Sequence, residues 1–244
     1  MKILITGASS GLGVEFARQY AASDVELVLL ARRKERLEHL KNELKTQCKS
    51  VTVIPVDVTD FSLLQEKIDQ TGVVDLVILN AGISLGHASD TIPTIKAFQN
   101  LYNVNVLANH AILEVLLPKM QAQKSGHIVF ISSLSSLFTL PSAKVYASSK
   151  RALNAYAEGV RYKYAKDGLH VSILLPGFIK SELTDKNDFT MPFLLETKEG
   201  VRRMKKTIDK RKKVYAFPLR FYLIIRLMQL LPSALRQRIV NYLS

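Results

Sequence analysis

The sequence predicts a doubly wound α/β domain, a parallel sheet with helices on both faces, plus a helical C-terminal extension. Three observations carry this. Short, continuously apolar runs rich in β-branched residues alternate with longer amphipathic stretches, as strands buried on both faces by crossover helices must. A glycine-rich turn follows the first apolar run directly. No repeat, low-complexity linker or composition break interrupts the alternation before about residue 185. With 244 residues, 48% of them hydrophobic, the chain can bury the core of one such domain.

In order, "KILIT" reads as a strand and "GVEFARQYAAS" as the helix after it. "VELVLLA" precedes the charged helix "KERLEHLKNELKTQ", and "SVTVIPVDV" precedes "SLLQEKIDQ". "VVDLVILNAG" leads through a turn-rich stretch into a helix ending at "LLPKMQAQ". "GHIVFISS" and "HVSILLPG" are further apolar strands. Between them lies the helix opened by "VYASSK". The last fifth of the chain carries no strand signal. It reads as a basic amphipathic extension, residues 191–244, of the domain formed by residues 1–190.

The net charge of +13 is unevenly placed. Residues 1–190 hold 21 Lys+Arg against 18 Asp+Glu, and residues 191–244 hold 13 against 3. A near-neutral body with a basic tail argues against a nucleic-acid binder. The lone Cys48 allows no intramolecular disulfide, which fits a reducing compartment. Only Ile3 to Ile5 precede Thr6 and Gly7, too short for a signal-peptide apolar region. No apolar run is long enough to cross a bilayer, so a cytoplasmic protein is expected. Within the tail, a basic cluster from Arg202 to Lys213 precedes an apolar stretch, Phe217 to Leu231, broken by Arg220 and Arg226. Residues 202–231 are a candidate for peripheral contact with the inner membrane surface. The competing reading is an amphipathic helix over the substrate cleft or a partner subunit, and a homo-oligomer is expected.

"TGASSGLG" sets Gly7, Gly11 and Gly13 between the first strand and the first helix, with Ser9, Ser10 and Leu12 among them. Glycines let a backbone turn tightly and approach a pyrophosphate at a helix N-terminus. The spacing is not G-x-G-x-x-G, and the lysine of a P-loop is missing. After the second strand come Arg32 and Arg33, where an acidic residue would hold a ribose 2′-hydroxyl. A guanidinium there favours a 2′-phosphate, so NADP(H) is expected over NAD(H). Arg32 is the first choice, being nearer the strand end; the competing reading makes both arginines solvated helix-start charges. Asp57 and Val58 close the third strand, where Asp57 can accept from an adenine amino group. Asn80, Ala81 and Gly82 close the fourth, where backbone would approach a cofactor ribose.

Tyr146 and Lys150 are spaced i, i+4 and share a helix face. The nearby ammonium is expected to lower the tyrosine pKa towards acid–base use. Ser133 ends a strand and could hydrogen-bond a substrate carbonyl. Asn105, in a helix, could order a water that relays protons to the lysine.

Together, "TGASSGLG", "NAG", Asn105, Ser133, Tyr146-x-x-x-Lys150 and Pro176-Gly177 resemble the short-chain dehydrogenase/reductase family over roughly residues 1–185. The resemblance implies a Rossmann-like sheet, a nicotinamide cofactor, a tetrad of Asn105, Ser133, Tyr146 and Lys150, and a substrate lid within residues 191–244. Lys150 can also hold the cofactor ribose. The resemblance puts the backbone around Gly7–Gly13 on the cofactor, with Asp57, Val58, Asn80, Ala81, Gly82, Pro176, Gly177 and Ile179. Ser181 stands where the family often has threonine, and "LNAG" replaces the frequent "NNAG". Ser132, Ser135 and Ser136 compete with Ser133 by type; spacing favours Ser133.

The remaining polar residues read as structural. His39, His87, His110, His127 and His170 lack metal-ligand spacing. Tyr156, Tyr162 and Tyr164 lack a lysine four positions on and read as packing residues, and nothing near Cys48 suggests a reactive thiolate. The expectation is an NADP(H)-dependent oxidoreductase acting on a small-molecule carbonyl or alcohol, with a lipophilic substrate suggested by the apolar lid. The alternatives are an NADP(H)-binding redox sensor without turnover and a membrane-surface scaffold.

Overall fold

A computed structural model describes residues 1–86, 91–185 and 190–243, with side chains to residue 241; His87 lies outside them. The first half runs β1 (Lys2–Thr6), α1 (Gly11–Tyr20), β2 (Glu26–Ala31), α2 (Lys34–Leu44), β3 (Ser50–Pro55), α3 (Phe61–Asp69) and β4 (Leu76–Leu79). Then come α4 (Ile95–Tyr102), a π-helical turn at Asn103–Leu107, α5 (Ala108–Gln123), β5 (Gly126–Ile131), α6 (Lys144–Tyr164) and β6 (Leu169–Pro176). The tail forms α7 (Thr197–Asp209), β7 (Val214–Phe217), α8 (Leu219–Leu230) and α9 (Ser233–Leu243).

The strands form one parallel sheet in the order β3-β2-β1-β4-β5-β6-β7. The chain winds outward from β1 to β3, then returns to lay β4 beside β1. That reversal opens a crevice at the carboxyl ends of β1 and β4. Thr6 ties the two ends together, its Oγ1 accepting from the backbone N–H of Asn80 and of Ala81, each at 2.9 Å.

Strand alternation sorts the core into two layers. Leu4, Val77, Ile128 and Ile173 face the side covered by α3, α5 and α6. Ile3, Ile5, Ile78, Val129 and Leu174 face α1, α2 and α7. Each residue step along a strand changes the face, so one sequence run feeds both layers.

Two expectations need correction. The tail does contain a strand: β7 pairs with β6 in the register Ile173↔Val214 to Pro176↔Phe217. "VYAF" is four residues between a lysine run and a proline, and half-exposed at the sheet edge, so its pattern is too short to read. Tyr162 is exposed rather than packed. Half of the basic cluster, Arg202, Arg203, Lys205 and Lys206, lies on α7, whose Val201, Met204 and Ile208 are core residues, and the other half, Lys210 to Lys213, lies between α7 and β7.

Candidate active site

A cleft of about 430 Å³ opens along the carboxyl ends of the strands, within the usual range for ligand sites. It is lined from the β1 turn by Gly7, Ser9, Ser10, Gly11 and Leu12, and from β2 by Arg32 and Arg33. Asp57 and Val58 line it beyond β3, and Asn80, Ala81 and Gly82 beyond β4. Ser133, Tyr146, Lys150, Pro176, Gly177 and Ile179 close the other end. The structure thus gathers most of the residues singled out in the sequence. Gly13 and Asn105 stand behind this lining.

The glycine turn fits a pyrophosphate. Gly7 and Gly11 take left-handed backbone, with φ +67 and +49. A Cβ on Gly13 would lie 2.1 Å from the Gly7 carbonyl oxygen, so only glycine lets α1 pack over the turn. Ser10 precedes α1 without capping it by its side chain, which leaves the helix N-terminal amides for an anion.

At the end of the cleft beside β2 and β3, Arg32 pairs with Asp57 at 3.6 Å. Burial opposes the Asp57 charge, but bonds from the Thr59 N–H and hydroxyl, with Arg32, outweigh it and hold the carboxyl below its ordinary range. Arg33, the second choice from the sequence, is tied into the glycine turn. Its Nε donates to Ser9 Oγ at 3.1 Å and its Nη2 to the Ser9 carbonyl at 3.4 Å. Arg33 Nη1 donates to Glu182 at 2.8 Å, and Arg36 donates to the same carboxylate. Hydrogen bonding to Arg36, then Arg33, outweighs burial and lowers the Glu182 carboxyl to about 2. The sequence reading missed Glu182; it sits in no motif and is brought there by the turn after β6.

At the opposite end, Ser133 lines the cleft beside Tyr146 and Lys150, its Oγ accepting from the Ser135 N–H at 3.1 Å. Ser136 instead donates to the Ser133 carbonyl and accepts from Asn154, and Ser132 points to the Lys150 carbonyl. Lys150 is buried, its Nζ donating to the Ile131 carbonyl at 2.9 Å and lying 5.8 Å from the centre of the Tyr146 ring. Burial lowers this ammonium to about 8. Burial raises the Tyr146 hydroxyl to about 12, against a lowering by Ser133. The expected net lowering is therefore corrected: desolvation outweighs the one lowering influence on the hydroxyl, which comes from Ser133.

Asn105 sits in the π-helical turn, fully buried. Its Oδ1 accepts from the Ile83 N–H at 2.8 Å, and its Nδ2 donates to the Ile83 carbonyl and to Ser149 Oγ, each at 3.0 Å. Ser149 in turn donates to the Tyr146 carbonyl. Asn105 thus pins the β4 loop to the helix that carries Tyr146. Ser181 keeps a hydroxyl in the threonine position, donating to the Ile179 carbonyl at 3.3 Å, while Thr184 accepts from the Ser181 N–H.

Other candidates stay structural. His127 is buried against Ser172 Oγ at 2.8 Å, and desolvation lowers it to about 3, so it is neutral. Burial pushes the Cys48 thiol up. Among the described residues no group of three or more His, Cys, Asp or Glu could hold a metal, and no helix is long and apolar enough to cross a membrane.

A parallel sheet with a nucleotide-type turn at its switch point and a Ser-Tyr-Lys set across the cleft defines a dinucleotide-dependent oxidoreductase architecture. The chain belongs to the short-chain dehydrogenase family, whose model matches residues 1–191. It is 36% identical to an uncharacterized oxidoreductase of Myxococcus xanthus over 95% of this chain and 93% of that one. It is equally identical to an uncharacterized oxidoreductase of Mycobacterium tuberculosis, over 97% and 96%. Among solved structures, a short-chain dehydrogenase from Sphingobium yanoikuyae in complex with NADPH superposes with a TM-score of 0.82 at 26% identity, over 96% of this chain and 97% of that one. A ketone-specific alcohol dehydrogenase from Comamonas testosteroni shares the fold, with a TM-score of 0.80 at 23% identity over 96% and 95%.

Proposed function

We propose that the chain is an NADP(H)-dependent oxidoreductase that interconverts a lipophilic carbonyl compound and its alcohol. The observation that carries this is Ser133 and Tyr146 lining, beside buried Lys150, the far end of a cleft whose other end presents Arg32 and Arg33. The NADPH held by the Sphingobium yanoikuyae relative supports the cofactor choice. The nicotinamide, when bound, supplies or takes the hydride. Tyr146 gives or takes the proton at the substrate oxygen, and Ser133 holds that oxygen in line with a hydrogen bond. Lys150, fixed by Ile131, keeps a positive charge beneath the pair. Asn105 acts through Ile83 and Ser149 to fix where Tyr146 stands.

The substrate end is aromatic. Phe221 of α8 stacks on Phe178 at 5.8 Å and lies 5.9 Å from Phe193. A Cβ on Gly177 would touch Phe221 at 3.1 Å, so this cluster backs the cleft wall. A panel of carbonyl compounds followed by NADPH absorbance tests the reading, with Tyr146→Phe as control. Turnover on long-chain or aromatic carbonyls, cut about 10²- to 10⁴-fold in the variant, is expected. Identical behaviour of the variant, with NADPH bound but nothing turned over, would favour the sensor reading.

A surface role accompanies this one. Leu219, Leu223, Leu227 and Leu230 of α8 are exposed along one face, with Arg220 and Arg226 also exposed. No acidic residue follows Asp209. An apolar stripe with only positive charge around it suits an anionic lipid surface better than a second, equally basic copy. Cosedimentation with phosphatidylglycerol-containing vesicles at low salt, lost in Leu223→Glu/Leu227→Glu, is expected. A dimer that the same variant dissolves, without vesicle binding, would assign the face to a homo-oligomer instead.

A further inference from the structure

The loop after β6 reaches across the cleft mouth. Ser181 presses on the glycine turn, its Cβ lying 3.0 Å from where a side chain on Gly11 would begin. Thr184 folds this loop into a tight turn, its N–H donating to the Ser181 carbonyl at 2.9 Å and its hydroxyl to the Ile179 carbonyl at 3.0 Å. Glu182 is therefore presented by a fixed backbone. It takes Arg33 Nη1 at 2.8 Å and also Arg36, on the opposite wall.

Each of the three guanidinium nitrogens of Arg33 thus makes a hydrogen bond. A guanidinium offers its donors in a rigid fork. Here one side of the fork holds the glycine turn through Ser9, and the other holds a carboxylate from the loop on the substrate side. A 2′-phosphate brings close to two negative charges and three acceptor oxygens to the same place. Two anions on one fork repel, so each weakens the hold of the other.

We propose that Glu182 is a specificity-determining residue, whose carboxylate competes with the cofactor 2′-phosphate for Arg33 and so couples phosphate binding to the position of the loop at Ser181–Asp185. The inference rests on the reading of the rim arginines as the phosphate site. Binding of NADP(H) loosens the hold of Arg33 and Arg36 on the loop; binding of NAD(H) leaves it in place. The acidic residue that opposes a 2′-phosphate in this chain lies not at the end of β2, where Ala31 and Arg32 stand, but on a loop about 150 residues further on.

The test is titration of the whole protein with 2′,5′-ADP and with 5′-AMP, which differ only in the phosphate, by calorimetry at low and high salt. Glu182→Gln keeps the size of the side chain but removes its charge and replaces one of its two acceptor oxygens by a donor amide. It is expected to bind 2′,5′-ADP about three- to tenfold more tightly at low salt, with 5′-AMP changed less than about twofold and the gain shrinking as salt rises. Glu182→Ala should move the same way. Unchanged or weakened 2′,5′-ADP binding in both variants, or equal tightening of 5′-AMP, overturns the proposal while leaving the phosphate site intact. A wild-type protein that does not prefer 2′,5′-ADP to 5′-AMP overturns both.

Discussion

Two helical glycines should respond oppositely to the same substitution. Gly13 lies in the first turn of α1, and Gly159 lies within α6. Replacing a helical glycine by alanine favours the helix by up to about 1 kcal/mol, because the unfolded chain loses freedom. At Gly159 nothing lies within 4 Å of the new methyl, so that gain stands. At Gly13 the methyl would lie 2.1 Å from the Gly7 oxygen, 2.7 Å from the Gly7 carbonyl carbon and 2.9 Å from Ala8 Cα. All three are backbone atoms, so no side chain can swing aside. Overpacking of this kind costs about 1–3 kcal/mol, which exceeds the propensity gain. For a domain of this size, about 1 kcal/mol moves Tm by about 2–4 °C. Gly159→Ala should therefore melt about 1–4 °C higher than the wild type. Gly13→Ala should melt several degrees lower and bind NADPH more weakly, since the turn that moves is the one offered to the pyrophosphate. Thermal melts followed by circular dichroism, with and without NADPH, read both. A Gly13→Ala variant as stable as the wild type, with unchanged nucleotide affinity, would refute the assignment of that glycine as the spacer between α1 and the turn.

Arg33→Ala should weaken NADPH about tenfold or more through loss of a charge-assisted bond to the 2′-phosphate, and NADH less, through loss of its hold on Ser9 in the glycine turn; Arg32→Ala should cost NADPH less. Fluorescence titration ranks the two, and the reverse order would restore Arg32 as the principal phosphate ligand. Lys150 gives a pH signature: burial holds it at about 8, against an ordinary value of 10.5. Between those values the unfolded chain binds the extra proton, so raising the pH through this window favours the fold. Lys150→Met removes that contribution, and its Tm should gain less than the wild type's on going from pH 8 to pH 10.5; parallel curves would show that the lysine is not desolvated as described.

The sheet and its nucleotide turn were legible because they depend on local pattern. Apolar runs of β1, β2, β4, β5 and β6 are long enough to read, and "TGASSGLG" needs no partner to be recognised. β7 was not legible, since four residues between Lys213 and Pro218 acquire strand character only by pairing with β6. The residues of the site were legible as types, but their partners were not. Arg32 and Arg33 are neighbours in sequence, yet Arg33 turns to Ser9 and Glu182 while Arg32 turns to Asp57. Glu182 had no signal at all, because its meaning lies in two arginines roughly 150 residues earlier. Asn105 was found by spacing, but its bonds to Ile83 and Ser149 require the π-helical turn.

The same limit explains why the tyrosine–lysine pair behaves differently from the simple charge argument. Spacing on a helix says that Lys150 is near Tyr146; it does not say how much water both have lost. Burial disfavours the charged form of each, raising the tyrosine to about 12 and lowering the lysine to about 8. At neutral pH this leaves the tyrosine hydroxyl carrying its proton and the lysine still mostly charged. An alkoxide is far more basic than a phenolate, so even a tyrosine raised this far gives its proton readily to an oxygen gaining negative charge. Ser133, beside the same hydroxyl, favours the phenolate that remains. The phenolate would then share a buried site with the Lys150 ammonium, whose charge stabilises it more as water is excluded. In the resting protein the geometry therefore keeps a proton donor loaded, and it reserves the attraction of the lysine for the moment when that donor has lost its proton.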